Sequence, residues 1–420
     1  MGADRHIIVA GAGIVGVSTA IWLQRAGAAV TLVDRQGPAA GASWGNAGIL
    51  AASSIAPVTM PGLLAKAPGM LLNPDKPLFL RWAYLPRLLP FLRRYLANAT
   101  TGAVAHIAEG LTQLLADTVE QHEALASGTG AERYVRRGDY LYAYGSRADH
   151  RADDAVWRLR RQHGFRFEEM GAEALAAYDP MLAGRFGYGV RTLDHGHVTD
   201  PGAYITALAR HFEDSGGTFH KAEVRDVIVE DGRAVGVMTD AGPLHADGVV
   251  LTAGAWSGRL AKTLGVTVPL EAERGYHIEF IDPSHAPRAP TMIASGKFVA
   301  TPMEGRLRCA GIVEFGGLEA GPSAAPLALL HRQMRRLFPD LRYSRVEEWM
   351  GHRPATSDSL PVIGAAPRAA NVWLGYGHQH VGLTGGPKTG RWLAQLALGR
   401  VPNVDLSTFA ADRRGLAATA

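Results

Sequence analysis

The segment of residues 6–34 limits the possible folds of this chain more than any other stretch. Residues 7–10 form an apolar run with the length of a buried parallel strand. Glycines in G-x-G-x-x-G spacing follow at once, and residues 14–25 then have helical character. A second apolar run, residues 29–33, ends in the acid Asp34. This order of strand, glycines, helix, strand and acid predicts a βαβ unit in a parallel sheet.

Each part of this unit has a physical role in binding a dinucleotide. Gly11 permits a tight turn, Gly13 lets the backbone approach a pyrophosphate, and Gly16 lets the helix pack closely on the strand. The helix start presents free N–H groups and the positive end of its dipole to phosphates. Asp34 can accept hydrogen bonds from both hydroxyls of an adenosine ribose. Taken alone, the segment predicts a dinucleotide site, with a nicotinamide cofactor as the default.

Composition is typical of a globular protein of two domains. The chain has 420 residues, of which 47% are hydrophobic and 20% are charged, enough for sizeable buried cores. The net charge of +4 is too small to indicate nucleic-acid binding, so we expect no nucleic-acid partner. Cys309 is the single cysteine, which excludes an internal disulfide and fits a cytoplasmic location. Residues 1–6 are too short and polar for a secretion signal.

Two stretches raise the question of membrane contact. Residues 36–65 carry no charge, but prolines and glycines interrupt them, so we interpret them as a loop facing the cofactor. Residues 77–97 combine large apolar groups with arginines, and Pro86 and Pro90 argue against one continuous helix. This segment could lie peripherally on the inner face of a membrane, or form two short helices packed on the protein. Packing is the favoured interpretation.

The rest of the chain alternates between helical and strand-like patterns. Helices are predicted at residues 106–125, 153–163, 201–214, 327–338 and 386–398. Strands are predicted at residues 134–144, 218–221, 224–230, 234–239, 248–251, 276–281, 297–301 and 306–314. Thr199 or Asp200 is expected to cap the helix at 201–214.

Motifs characteristic of one group of enzymes are spread over nearly the whole chain. They are GAGIVG at 11–16 together with Asp34, GASWGNAGIL at 41–50, HVTDPGAY at 197–204, TAGAWS at 252–257, RGYH at 274–277, GHRPATSD at 351–358 and GYGHQHVGLTGGPKTG at 375–390. On these motifs the chain resembles the D-amino-acid oxidase and glycine oxidase superfamily of FAD-dependent enzymes. Within that superfamily it is most similar to the bacterial D-amino-acid dehydrogenases.

The resemblance implies an α/β fold of the two-domain α+β kind. A Rossmann-like FAD-binding domain would be interleaved with a substrate domain built on an antiparallel sheet. The FAD-binding domain would hold residues 1–75, 195–265 and 350–420, and the substrate domain residues 76–194 and 266–349. The segment at 249–256, a buried strand that leads into small residues, resembles the strand that closes the cofactor-binding sheet in two-domain flavoproteins.

The resemblance also implies roles for individual residues. Arg353 would pair with the substrate carboxylate, because a guanidinium fork offers a carboxylate two parallel hydrogen bonds. Tyr276 would assist in binding that carboxylate. His378 would lie at the catalytic flavin ring, and His380 beside it near the substrate. The alternatives are a structural ion pair for Arg353, a core position for Tyr276 and packing or solvent-facing positions for the histidines.

Binding of FAD is expected to be non-covalent. Some sarcosine oxidase relatives attach the flavin through a cysteine near the Arg353 motif, and Cys309 lies far from that motif in sequence. The residues implied in FAD binding are Gly11, Gly13, Ile14, Val15, Gly16, Asp34, Arg35, Ala42, Ser43, Asn46, Ala47, Gly48, Val224, Ala253, Gly254, Trp256, Gly377, His378, Val381, Gly382, Leu383 and Thr384.

The implied reaction oxidises an amine beside a carboxylate. A D-amino acid, or a cyclic imino acid such as a proline derivative, would lose hydride from its α-carbon to the flavin. The imino acid would hydrolyse to a keto acid and ammonia, and the electrons would pass to a quinone or another acceptor. We expect no dedicated catalytic base and no metal, because the flavin performs the difficult step. The alternatives are an enzyme for glycine, sarcosine or a 2-hydroxy acid, and a flavin-binding redox subunit with little activity alone.

Overall fold

A six-stranded sheet lies at the centre of the molecule. The computed structural model describes residues 5–62, 73, 75, 77–413 and 416. Across this sheet the strands follow the order Val362–Ala365, Val372–Tyr376, Gly248–Leu251, His6–Ala10, Ala29–Asp34 and Thr218–Lys221. Neighbouring strands are parallel except for the first two, which pair antiparallel. The predicted Rossmann-like sheet is confirmed.

The strand His6–Ala10 is apolar at consecutive positions because both faces of this sheet are covered. Ile7 and Val9 belong to a core that includes residues of the helices on one face. Ile8 and Ala10 belong to a second core on the other face. That second face is covered in part by a three-stranded antiparallel sheet, whose strands are Val224–Glu230, Arg233–Thr239 and Gly242–His245.

A larger and mainly antiparallel sheet carries the substrate side of the molecule. Its strands follow the order Arg345–Thr356, Leu270–Ile281, Arg306–Phe315, Phe298–Met303, Thr291–Ile293, Val135–Tyr144, Tyr188–Val198 and Ile49–Leu50. Leu78–Leu80 pairs in parallel with Arg306–Phe315, and Phe167–Gly171 pairs antiparallel with Tyr188–Val198. The predicted combination of a Rossmann-like sheet with an antiparallel substrate sheet is therefore confirmed.

Helices cover both sheets. In the described residues they are Ile14–Arg25, Leu85–Ala97, Thr101–Leu115, Thr118–Ala126, Arg147–Ala152, Asp154–Gln162, Ala172–Tyr178, Pro201–Asp214, Ser257–Thr263, Ala324–Leu337 and Gly382–Ala397. Asp200 caps the helix at 201–214, since its Oδ1 accepts a hydrogen bond of 2.9 Å from the Ala203 N–H. The helix Gly382–Ala397 packs directly on Ile14–Arg25, where a Cβ on Gly390 would lie 2.6 Å from the Cβ of Ser18.

Three predictions about single elements were wrong. The strand Gly248–Leu251 lies inside the central sheet and does not close it, because the strands at 362–365 and 372–376 extend the sheet beyond it. The helix predicted at 106–125 is two helices, Thr101–Leu115 and Thr118–Ala126, separated at residues 116 and 117. The third error concerns the segment at residues 77–97.

The segment at 77–97 contains one continuous helix, Leu85–Ala97, which runs through Pro90. Pro86 lies in the first turn, where its missing N–H costs nothing, and Pro90 removes only one hydrogen bond of the helix. Leu88, Phe91 and Tyr95 are buried, so one face of the helix packs on the protein. Among the described residues, no helix is both long enough and apolar enough to span a membrane.

The predicted domain boundaries follow the two sheets only in part. All six strands of the central sheet fall within the segments predicted to bind FAD. The helices Thr101–Leu115 and Thr118–Ala126, predicted with the substrate domain, share a core with the helix Ile14–Arg25. Ile49–Leu50, predicted with the FAD domain, pairs with the larger sheet. The two parts of the chain therefore interleave closely, and the division into domains stays a prediction.

Candidate active site

The glycine loop forms a tight cradle after the first strand. Gly11 has a φ of +109°, and a Cβ there would lie 2.6 Å from the carbonyl oxygen of Thr252. A Cβ on Gly16 would collide with the carbonyl oxygen of Gly11. A Cβ on Gly13 would lie 3.0 Å from the Oγ of Ser43. Each glycine therefore stands where a larger residue would displace the backbone or its neighbour.

Asp34 sits at the end of the second strand, beside this cradle. Its Oδ2 accepts the Ala12 N–H at 2.9 Å, and its Oδ1 accepts the N–H groups of Gln36 and Gly37 at 2.8 and 3.0 Å. These bonds hold the carboxylate in one orientation. Asp34 also lines the large cavity described next, so its remaining lone pairs can accept ribose hydroxyls.

One cavity of about 1030 Å³ connects the glycine loop with Arg353. This volume is at the upper end of the range of about 300–1,000 Å³ for small-molecule sites, as a large cofactor together with a substrate would need. Most of the residues implied in FAD binding line it: Gly11, Gly13, Ile14, Val15, Asp34, Arg35, Ala42, Ser43, Asn46, Ala47, Gly48, Val224, Ala253, Gly254, Trp256, His378, Gly382, Leu383 and Thr384.

Gly16, Gly377 and Val381 do not line this cavity. Gly16 packs against the carbonyl group of Gly11, directly after the first strand, as its place in the glycine pattern requires. Gly377 has a φ of +85° and lies against Thr356. Val381 is buried in the core shared with the helices. These three residues therefore shape the backbone around the cavity rather than its wall.

The small-residue loop at 41–50 is fastened to the substrate sheet. Arg308 donates hydrogen bonds to the carbonyl oxygens of Trp44 and Asn46 at 3.0 and 2.6 Å. Thr301 donates to the carbonyl oxygen of Ala47 at 2.8 Å. Ser43 Oγ accepts the first N–H of the glycine-loop helix, that of Ile14, at 3.0 Å. The loop thus links the helix start on one side of the cavity with the larger sheet on the other.

Arg353 is half-buried, and its guanidinium lines the cavity without a salt bridge to an acidic side chain. Its Nη1 and Nη2 donate to the carbonyl oxygens of Ile312 and Gly311 at 2.9 and 3.3 Å. Among the residues that the structure describes, no carboxylate lies within 4 Å of it. Burial lowers the pKa of Arg353, and nearby Glu273 opposes that change. The fully buried arginines of this sheet, Arg274 and Arg308, are each paired with a glutamate at 2.8 Å.

Gly275 makes room for Arg353. The two neighbouring strands place Gly275 opposite Gly351, and a Cβ on Gly275 would collide with the Arg353 guanidinium. Gly275 was not predicted as a site residue, although it lies in the RGYH motif. The glycine is visible in the motif, but its role follows only from the strand pairing that places it beside Arg353.

Glu273 is the main residue of the site that sequence reasoning missed. It is paired with Arg353 in the strand register, is only 1% exposed and lines the cavity. Its carboxylate accepts hydrogen bonds from His380 Nε2 at 2.7 Å and from Gln379 Nε2 at 3.2 Å. Burial alone would raise the pKa of Glu273, but His380, Arg353 and the Gln379 amide lower it overall. These interactions favour the ionised form of the carboxylate.

Tyr276 is directed away from Arg353. It lies opposite Met350 in the register, three positions from Arg353, so strand alternation puts the two side chains on opposite faces of the sheet. Its hydroxyl donates to Glu314 Oε2 at 2.5 Å and accepts the Ser323 N–H at 3.1 Å. Tyr276 lines the same cavity as Arg353, but its hydroxyl is bound to Glu314 and Ser323 and is not brought to the Arg353 guanidinium.

The two predicted histidines occupy different surroundings. His378 is buried, and its Nε2–H donates to Thr389 Oγ1 at 2.9 Å, because the Thr389 hydroxyl itself donates to the carbonyl oxygen of Gly385. Burial lowers the pKa of His378 to about 3, so the ring is neutral. His380 has a side chain that is 38% exposed, and it is paired with Glu273. Both line the cavity.

The comparisons with known proteins agree with this geometry. The family described as FAD dependent oxidoreductase (DAO) matches residues 6–396. The chain therefore belongs to this family, and it is an enzyme of the FAD-dependent oxidoreductase class. Family membership implies FAD as the cofactor, and the glycine cradle, Asp34 and the small-residue loop offer the close backbone approach that such a dinucleotide requires.

Individual relatives show which members of the family this chain is similar to. A D-amino-acid oxidase of Bradyrhizobium diazoefficiens is 38% identical over 420 residues, covering 98% of this chain and 100% of that protein. A D-amino acid dehydrogenase of the same species is 34% identical over 428 residues, covering 97% of this chain and 98% of that protein. The solved glycine oxidase from Geobacillus kaustophilus has a TM-score of 0.75 at 20% identity, with 98% of this chain and 99% of that chain covered, which is a likeness of fold.

Proposed function

We propose that this chain oxidises a D-amino acid, or a cyclic imino acid such as a D-proline derivative, to the corresponding imino acid. The imino acid then hydrolyses in water to a keto acid and ammonia. The observation that carries this proposal is Arg353, whose half-buried guanidinium lines the cavity and forms no salt bridge with an acidic side chain among the described residues. The likeness to a D-amino-acid oxidase and a D-amino acid dehydrogenase over nearly the full chain supports it.

FAD would be held without a covalent bond, by the glycine cradle, Asp34 and the loops at 41–50 and 252–256. When bound, FAD would supply the acceptor for a hydride from the α-carbon of the substrate and the route by which the electrons leave. The single cysteine, Cys309, is fully buried and contacts the Met334 sulfur at 3.4 Å, so it supports no linkage through sulfur. Burial also raises the pKa of the Cys309 thiol far above its ordinary value, which keeps it unreactive.

The protein's own groups bind and orient the substrate. Arg353 would hold the carboxylate through its unused N–H groups, with its plane fixed by the carbonyl oxygens of residues 311 and 312. Tyr276 would act as a positioning residue, because its hydroxyl stabilises Glu314 behind the sheet. His378, held by Thr389, would present a neutral ring at the wall of the cavity near the helix start, and His380 would lie beside the substrate.

The electron acceptor is proposed to be a quinone or a similar apolar acceptor, met at the inner face of the membrane. The helix Leu85–Ala97 lines the cavity with Leu88, Leu92 and Leu96 on one face. On the outside of the same segment, Trp82 is 61% exposed and Leu89 is 54% exposed. Exposed apolar groups beside Arg87 and Arg93 suit an anionic membrane surface.

The experiment that tests the function is anaerobic mixing of the purified flavoprotein with a panel of amino acids. We expect D-alanine, D-proline or larger D-amino acids to bleach the flavin absorbance, and the L forms to leave it unchanged. Bleaching only by glycine, sarcosine or a 2-hydroxy acid would replace this proposal with one for those substrates. A flavin that no carboxylate reduces would instead support a redox subunit with little activity alone.

A further inference from the structure

The same cavity that holds Arg353 is also lined by a histidine–glutamate pair, His380 and Glu273, which recognition of a carboxylate by Arg353 does not use. Glu273 lies next to Arg353 in the strand register, and His380 comes from the loop before the helix Gly382–Ala397. The His380 Nε2 and the Glu273 Oε2 are 2.7 Å apart. Gln379 adds a second hydrogen bond to the same carboxylate at 3.2 Å, so the pair is held from two sides.

The pair determines which nitrogen of His380 carries a proton when the ring is neutral. An ionised carboxylate can only accept hydrogen bonds, so the Nε2 of His380 must be the donor. The lone pair of the neutral ring is then on Nδ1. Among the described residues, no group makes a hydrogen bond to this Nδ1. His380 therefore has one ring nitrogen engaged and one nitrogen available as a proton acceptor.

The position of the pair connects the buried site with the outside. Glu273 is 1% exposed, whereas the His380 side chain is 38% exposed and still lines the cavity. A proton taken up at Nδ1 could leave to solvent from this exposed ring. Burial of the carboxylate keeps the hydrogen bond to Nε2 free from competition with water.

The other titratable groups that face the pair already have interactions of their own. From the sheet these are Arg353, which donates to the backbone of residues 311 and 312, and Glu271, which accepts the Tyr84 hydroxyl at 3.0 Å. Tyr95 comes from the helix Leu85–Ala97, and burial, Glu273 and Gln379 together leave its pKa well above the ordinary value. His378, on the same loop as His380, is bound to Thr389.

We propose that His380 accepts a proton from the ammonium group of the substrate, and that Glu273 is the positioning residue that orients it. The proposal rests on the proposed function, because an α-amino acid enters as an ammonium ion and its nitrogen must lose a proton before hydride can leave the α-carbon. One N–H bond of the substrate breaks, an Nδ1–H bond forms on His380, and the nitrogen keeps its electron pair. The Nδ1 lone pair forms the new bond, neither group is oxidised or reduced, and the proton then passes to water.

The test compares the pH dependence of kcat/KM in the wild type, His380→Gln and Glu273→Gln, each loaded with FAD. We expect His380→Gln to lower kcat/KM about 100-fold at pH 7.5, in the ordinary range for loss of a proton acceptor. The loss should disappear as the pH rises past the pKa of the substrate's own amine, because that amine is then neutral without a proton acceptor. Glu273→Gln should show a smaller loss, about 10-fold, with the same dependence on pH.

Two further measurements separate this role from a structural one. His380→Ala should regain activity when imidazole is added, and its affinity for propionate, a carboxylate without an amine, should match that of the wild type in a flavin absorbance titration. The matched control is His331→Gln. His331 forms a histidine–glutamate pair of the same 2.7 Å length with Glu348, but it does not line the cavity. This variant should keep the wild-type profile.

The outcomes are distinct. A loss of activity in His380→Gln that is equal at all pH values would overturn the role of His380 while leaving the proposed function intact. Weakened propionate binding, or failure of imidazole to restore His380→Ala, would do the same. A wild-type flavin that no D-amino acid reduces would overturn the proposed function and this inference together.

Discussion

The two ends of the cavity are built in different ways. At the glycine loop, the residues that shape the site follow one another within residues 6–48, and their backbone does most of the work. At the other end, Arg353, Glu273, Gly275 and His380 come from two strands and a loop that lie far apart in the chain. At that end the side chains form the site, and the strand register brings them together. The first end is local and dominated by shape, and the second is long-range and dominated by charge.

This difference predicts different failures. A change at the glycine end should disturb folding and FAD binding, because a Cβ there has no space. A change at the Arg353 end should leave FAD in place and alter substrate recognition. A variant at one end that changed both FAD binding and substrate recognition would contradict the comparison.

The largest effect is expected for Gly16→Ala. Its Cβ would collide with the carbonyl oxygen of Gly11, so the helix must shift from the strand, at a cost of about 1–3 kcal/mol or more. We expect a protein that purifies without flavin or does not accumulate in soluble form. Flavin content per chain and the thermal midpoint are the measurements. The control is Gly41→Ala, which lines the same cavity where a Cβ meets nothing within 4 Å. A fully flavinylated Gly16→Ala protein would contradict the role of close helix packing.

The next largest effect is expected for Arg353→Lys. An ammonium cannot reproduce the two parallel hydrogen bonds of a guanidinium, so kcat/KM should fall roughly 100- to 1,000-fold while FAD stays bound. Steady-state kinetics with the best substrate of the panel, together with the flavin spectrum, checks this. Unchanged turnover and KM in this variant would remove the carboxylate assignment.

A smaller effect is expected for Gly275→Ala, which leaves Arg353 itself unaltered. The added Cβ would collide with the guanidinium and push it from its place between the strands. We expect KM to rise about 10-fold, equivalent to about 1.4 kcal/mol of lost binding, with FAD retained. Gly138→Ala in the same sheet, where a Cβ has open space, is the control and should behave as the wild type. Equal KM values for the two variants would show that the guanidinium is not held as described.

The same contrast explains how far the sequence could predict the structure. The glycine loop, the first two strands of the central sheet and the cap at Asp200 follow from local patterns, and they were predicted correctly, whereas the strands at 362–365 and 372–376 were not predicted. Arg353 was selected through a motif. Glu273 was missed because its importance depends on pairing with a residue 80 positions away, which no local pattern records. Tyr276 shows the same limit, since the face on which its side chain lies depends on the strand register.

The segment at 77–97 shows a different limit. Prolines suggested a broken helix, yet the helix is continuous because one proline lies in the first turn and the other removes a single hydrogen bond. Packing of Leu88, Phe91 and Tyr95 compensates for that loss. Tertiary contacts of this kind override a local preference and are visible only in the folded chain.

The smallest effect tests whether the glycine end also depends on the helix Gly382–Ala397, which packs on the glycine-loop helix Ile14–Arg25. His122, on the helix Thr118–Ala126, donates from Nε2 to the carbonyl oxygen of Leu383 at 2.9 Å and accepts the Tyr204 hydroxyl at Nδ1 at 3.0 Å. Burial lowers the pKa of His122 to about 4. The unfolded chain therefore binds more protons than the folded one below pH 6.5, and the stability tied to His122 is lost as the pH falls from about 6.5 toward 4.

His122→Gln should consequently flatten the pH dependence of the free energy of unfolding, by on the order of 1–2 kcal/mol between pH 7 and pH 5. Urea denaturation at the two pH values measures this, with the exposed His220→Gln as the control that should follow the wild type. If flavin content also falls for His122→Gln at pH 7, the start of the helix Gly382–Ala397 depends on a long-range contact for its place at the cofactor. The glycine end would then share the long-range construction of the Arg353 end. If flavin content is unchanged, the local glycine unit is sufficient to hold FAD, and the contrast between the two ends stands.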